Sequence, residues 1–168
     1  MKSKTISLES VDLPAIKESR EGTIFNPSNF LKIYDRMLHL QPTAPRRWGR
    51  MNVVQMLNHL KVATGSSLNV YKLRDESSFL SRVFIKFLVV RLLKRIPRNA
   101  AGPKGFEIEM NNALGFTSEK EQVLNILERA YTSSCDTYPH PLFGKMSRVE
   151  WGILIYRHFD HHLRQFNS

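Results

Sequence analysis

At 168 residues, with 42% hydrophobic and 10% aromatic side chains, the chain has room for one domain with its own core and too much apolar content for a disordered segment. Its single cysteine, Cys135, excludes an internal disulfide framework and any multi-cysteine zinc site, and fits a reducing, cytoplasmic setting. The formal net charge of +10 and pI near 10.0 suit contact with something anionic, although charge by itself speaks only to solubility and nonspecific association.

Residues 1–25 mix Ser, Thr, Glu and Lys around Pro14 without a sustained period, and read as an N-terminal arm preceding a helical domain over 26–168. Lys2 and Lys4 are followed by polar residues where an export signal would need an apolar run. Asn26-Pro27 supplies a cap and a first-turn proline for a helix over 27–40, with Phe30, Ile33, Tyr34, Met37 and Leu38 on one face. Pro42, Pro45 and Gly49 make 41–49 a loop, which carries Arg46 and Arg47 beside Trp48.

Asn52 can cap a second helix running to about Tyr71, with Val53, Met56, Leu57, Leu60, Thr64 and Leu68 as its stripe and His59 at the stripe's edge. A third helical segment over 78–96 stops at Pro97. It is rich in Phe, Leu and Val, yet Arg82, Lys86, Arg91, Lys94 and Arg95 break it too often for a transmembrane span. It reads as a packing helix within a long crossover, the rest of which, 97–117, is irregular. Ser118 with Glu121 has the spacing of a capping box and predicts a helix over 118–135. After the Pro-His-Pro-Leu-Phe-Gly loop at 139–144, Ser147 with Glu150 predicts a second capping box that opens a last helix ending near Phe166. No segment reads as a strand, so the fold class is all-α.

The last helix carries the most specific chemistry. Trp151, Leu154, Ile155, Phe159, Leu163 and Phe166 form its apolar stripe, and His158 and His162 fall beside it. Being i and i+4, these two stand about 40° apart around the axis and can reach one cation from one face. His161 points to the other side of His158, toward an outer shell, a pocket mouth or a subunit contact. Two ligands from one helix need a third from elsewhere, and His59 is the only histidine in the middle of another long helix. A lone histidine on a helix edge is ordinarily a hydrogen-bonded residue, and His39 and His140 fit that description: the first can cap carbonyls at a helix end, the second sits in a proline-rich loop.

The run His158-Phe-Asp-His-His-Leu-Arg-Gln165 resembles the closing motif of the DinB/YfiT-like superfamily, a histidine pair four apart followed by a glutamine. The segment from Arg47-Trp48-Gly49 through Gln55-Met56-Leu57-Asn58-His59 is similar to that superfamily's helix-two motif. With His140-Pro-Leu-Phe-Gly144, Ser147, Glu150-Trp-Gly152 and Tyr156 the likeness extends over most of residues 28–166 and points to a branch known as a domain of unknown function. The resemblance implies an up-down-down-up four-helix bundle with an extra helix in the crossover between bundle helices two and three. It further implies a homodimer and a divalent metal (Zn, Ni, Mn or Fe) on His59, His158 and His162. Open coordination positions would serve a metal-dependent hydrolase or thiol-dependent transferase acting on a small molecule, with a low-molecular-weight thiol as a further cofactor. Leu163-Arg164 departs from the arginine and glycine that often precede the glutamine.

Around those three ligands, His161, Gln165, Gln55 and Arg47 are the candidates for supporting or pocket positions, and Arg46, Arg47 and Arg50 for holding an anionic substrate group. No general base is evident near the histidines; Glu107 and Glu109 in the crossover are the remaining carboxylates of interest. Two other readings compete with an enzyme. One is a non-catalytic basic bundle that binds nucleic acid or a membrane surface, without sequence specificity because no DNA- or RNA-binding motif is present. The other is a bundle that a metal merely stabilises.

Overall fold

A computed structural model describes residues 22–98, 100, 102, 115–133 and 138–168. Among them the chain is all-α, with four α-helices, one π-rich helical segment, and a single isolated bridge between His140 and Gly144. Cys135, Glu107 and Glu109 lie outside the described residues, as does most of the expected arm. No described helix is long and apolar enough to cross a membrane.

Helix α1 spans Pro27–His39, and the Asn26 side chain accepts from the Ser28 and Asn29 amides, as its sequence predicts. Helix α2 spans Val53–Ser66, opened by a reciprocal Asn52/Gln55 capping box. It stops a turn short of the expected Tyr71 because Asn69 adopts a left-handed φ of 56° and the Val70 amide returns to the Gly65 carbonyl. The one-sided stripe expected of α2 is also too narrow. Every residue from Met56 to Ser66 is buried, Lys61 included, because both α4 and α5 pack against this helix.

The third segment, α3, covers 79–92, with π-type turns over Ser81–Ile85 and Leu88–Leu92. Its backbone turns extended at Leu93, before Pro97 is reached. Helix α4 spans Phe116–Thr132 and starts two residues before the expected Ser118. Gly115 is its N-cap with no side-chain bond, and Ser118, already inside the first turn, accepts from Gln122 instead of closing a capping box. Helix α5, Arg148–Gln165, has the predicted Ser147/Glu150 box.

Helices α1 and α2 each pack against both α4 and α5, and α3 lies against α5. The shared core includes Ile33, Met37, Met56, Leu60, Leu127, Phe159, Leu163 and Phe166. The last residues of the expected arm belong to this core as well: Ile24 is fully buried and donates its amide to the Gly152 carbonyl on α5. A side chain at Gly152 would collide with Thr23 and Phe25, so the absent Cβ is what lets this strap lie flat on the helix.

Candidate metal centre

His59 comes from the middle of α2, and His158 and His162 from successive turns of α5. His158 is central: its Nε2 lies 2.9 Å from Nε2 of His59 and 3.1 Å from Nε2 of His162. One ligand atom from each residue falls within 4.8 Å of the others, and the rings meet edge-on or tilted at centroid distances of 4.8–4.9 Å. His59 and His162 are buried and His158 is half-buried. Burial, and the proximity of other imidazoles, pull all three basicities down: His59 to about 4, His158 and His162 well below the ordinary 6.5. The rings are therefore neutral near pH 7, the state in which imidazole donates a lone pair to a metal.

The orientation of His162 is fixed from behind. Gln165 donates its side-chain amide to the Trp48 carbonyl at 2.7 Å, which leaves its Oε1 facing Nδ1 of His162 at 2.8 Å. Because Oε1 only accepts, Nδ1 carries the proton and Nε2 presents a lone pair toward His158. The loop reaches Gln165 through Gly49, whose φ of 79° is left-handed; a Cβ there would meet Gln165 Nε2 at 2.5 Å. The Arg47 amide adds a backbone bond to the Gln165 carbonyl at 2.8 Å.

The triad opens on a cleft of about 1010 Å³, whose wall includes Trp48, Arg50, Leu88, His140, Trp151 and His161. His161 meets the Trp48 ring edge-on, with Nδ1 3.1 Å from the Ile96 carbonyl, so it stands at the pocket wall. The other expected pocket residues separate from the site. Gln55 spends its side chain on the α2 cap, accepting from the Asn52 amide at 2.9 Å, and Arg47 is exposed. Arg46 bonds to the Arg50 and Met51 carbonyls, which leaves Arg50 as the loop arginine on the cleft wall. Asp160 faces away from the triad, paired with Arg36 and Arg164 at 2.9 Å each.

His140, read from the sequence as a hydrogen-bonded loop histidine, also lines the cleft. Its ring is buried against Phe143, and Nδ1 accepts from the Leu142 and Phe143 amides at 3.0 and 3.2 Å. Burial lowers its pKa to about 3, so the ring is neutral with its proton on Nε2, a fixed donor in the cleft wall. The available signal was the prolines on either side, which make a stiff turn that sets the ring against α5.

The donor set fits a divalent first-row ion. Three neutral nitrogens converge from two helices, and the two separations of 2.9 and 3.1 Å approach the edge of roughly 3.3 Å that a tetrahedron with standard zinc–imidazole bonds would have. A helical protein with such a triad at the base of a cleft belongs to the class of candidate metal-binding helical domains. The family model that matches, over residues 28–168, is described as a protein of unknown function, DUF1569, and the chain belongs to that family. No match was found among curated proteins or solved structures.

Proposed function

We propose that the protein binds a divalent metal through His59, His158 and His162 and uses it on a small molecule held in the adjoining cleft, as a metal-dependent hydrolase or thiol-dependent transferase. The four long helices are read as an up-down-down-up bundle of the DinB/YfiT-like kind, and the ring of contacts through α1, α4, α2 and α5 supports that reading. The observation that carries the functional proposal is the convergence of three Nε2 atoms, with the tautomer of His162 set by Gln165.

A divalent ion on three neutral imidazoles supplies Lewis acidity and open coordination positions, the arrangement of catalytic rather than structural sites. The protein's own groups supply the rest. Gln165 holds His162 in its ligating tautomer. His140 offers a fixed N–H to a substrate oxygen, and Arg50 a charge for an anionic group. Leu88, Val89, Leu154 and Ile155 make much of the wall apolar, which keeps water from competing with a bound substrate.

The test is metal content per chain after purification without an affinity tag, for the natural protein and a His158→Ala/His162→Ala variant, each checked by circular dichroism. Near-stoichiometric metal that disappears from a folded variant supports the proposal, and turnover of electrophiles with and without added thiol then separates transfer from hydrolysis. Metal-free natural protein that also takes up no ion on titration ends it.

A further inference from the structure

The crossover helix α3 is expected to pack, yet it does so along one side only. Ser81 and Val90 are buried, and two long cations fasten that side down. Lys86 reaches Glu150 at 3.1 Å and the Lys145 carbonyl at 2.7 Å, while Arg157 donates to the Val89 and Val90 carbonyls at 2.6 and 3.1 Å. Arg82 bonds to Asp75 at 3.2 Å. The opposite side is apolar and open: Phe79 is 78% exposed, Phe84 62%, Leu92 61%, Leu80 58% and Phe87 56%. Five large apolar side chains within 14 residues are far from the scattered single exposures normal on a soluble surface.

Charge identifies what such a face meets. Residues 77–106 contain seven Lys or Arg and no Asp or Glu. Arg91, Lys94 and Arg95, at the end of α3 and just beyond it, are all exposed and have no carboxylate within salt-bridge distance among the described residues. A second copy of the chain meeting this face about a two-fold axis would bring like charges together. Duplex nucleic acid would satisfy the cations but leave the leucines and phenylalanines in water. Phenylalanine and leucine beside lysine and arginine, on a helix too short and too charged to span, match the headgroup boundary of an anionic bilayer.

We propose that α3 is an interfacial docking helix that seats the protein on an anionic lipid surface, with Phe79, Phe84 and Phe87 inserted at the acyl boundary and Arg91, Lys94 and Arg95 on the headgroups. The inference is independent of metal binding. It is tested by co-sedimentation of the full chain with vesicles of phosphatidylcholine alone and of phosphatidylcholine mixed with phosphatidylglycerol, at low and high salt. Binding is expected to the anionic vesicles only, to weaken with salt, and to fall by at least about tenfold both in Phe84→Ser/Phe87→Ser and in Arg91→Glu/Lys94→Glu/Arg95→Glu. The His158→Ala/His162→Ala variant is expected to bind as the natural protein does. Three results overturn the proposal: no sedimentation with anionic vesicles, vesicle and DNA binding that both ignore the phenylalanine substitutions, or a dimer that the phenylalanine substitutions split while vesicle binding is unchanged.

Discussion

The side-chain amide of Gln165 and the backbone carbonyl of Trp48, 2.7 Å apart, decide which nitrogen of His162 holds a proton. The carbonyl can only accept, so the Gln165 nitrogen must face it and the oxygen must face His162. Gln165→Leu removes both bonds, releases the tautomer, and leaves the Trp48 carbonyl unpaired. Metal affinity is expected to drop by about 10- to 100-fold, and stability by about 1–3 kcal/mol. Gln165→Glu keeps an acceptor for His162 but loses the donor to Trp48, so it should retain more affinity than the leucine variant. Competition titration against a chromogenic chelator checks the order; equal affinity in all three proteins would show that Gln165 does not orient the ligand.

Gly49 carries the same dependence one step further out. Its left-handed φ of 79° disfavours any side chain, and a Cβ would sit 2.5 Å from Gln165 Nε2. Gly49→Ala is therefore expected to cost about 1–3 kcal/mol from backbone strain alone. It should also weaken metal binding, because the only routes to relief move the loop or Gln165. Calorimetric metal titration of the folded variant reads the second effect separately from the first.

A buried ion pair joins the helix that bears His59 to α4. Lys61 Nζ lies 2.7 Å from Glu119 Oε2 and 3.1 Å from Gln122 Oε1, with the Glu119 side chain fully enclosed. Asn58 donates to the other Glu119 oxygen at 3.4 Å. Glu119→Leu alone removes the carboxylate beside a buried ammonium and is expected to destabilise by about 3–5 kcal/mol, whereas Lys61→Met/Glu119→Leu should recover most of that loss. Urea denaturation of Glu119→Leu, Lys61→Met and the double variant gives the coupling directly, and additive losses would contradict a shared desolvated pair.

This pair shows where reading the sequence stops. The caps of α1 and α5 were legible because Asn26, Pro27, Ser147 and Glu150 act on their neighbours. The i, i+4 histidines were legible for the same reason. Nothing near Lys61 foretells a carboxylate 58 residues later, so α2 reads as one-sided when it is enclosed. Ser118 misleads because Gly115, which offers no side chain, starts α4 from extended backbone two residues before the expected helix. Gln55 and Gln165 look alike in a motif, but one lies in the first turn of its helix, where a free amide needs it, and the other lies beside His162.

The buried imidazoles also set how the metal-free protein responds to acid. His59 is held down to about 4 and His140 to about 3, against an ordinary value of 6.5, and desolvation is the first cause for both. Between those values and 6.5 the unfolded chain binds protons that the folded chain refuses, so stability is full above pH 6.5 and is lost as pH falls toward 4. Each group is worth on the order of 3–5 kcal/mol across that window, and His158 and His162 act in the same direction. Chelator-treated protein is thus expected to unfold at much lower urea at pH 5 than at pH 7. His140→Gln, which keeps a hydrogen-bond acceptor and removes one titrating group, should flatten the dependence. A urea midpoint that stays constant from pH 7 to pH 4 would mean that these rings gain solvent in the metal-free state and that the triad is not held together by the fold alone.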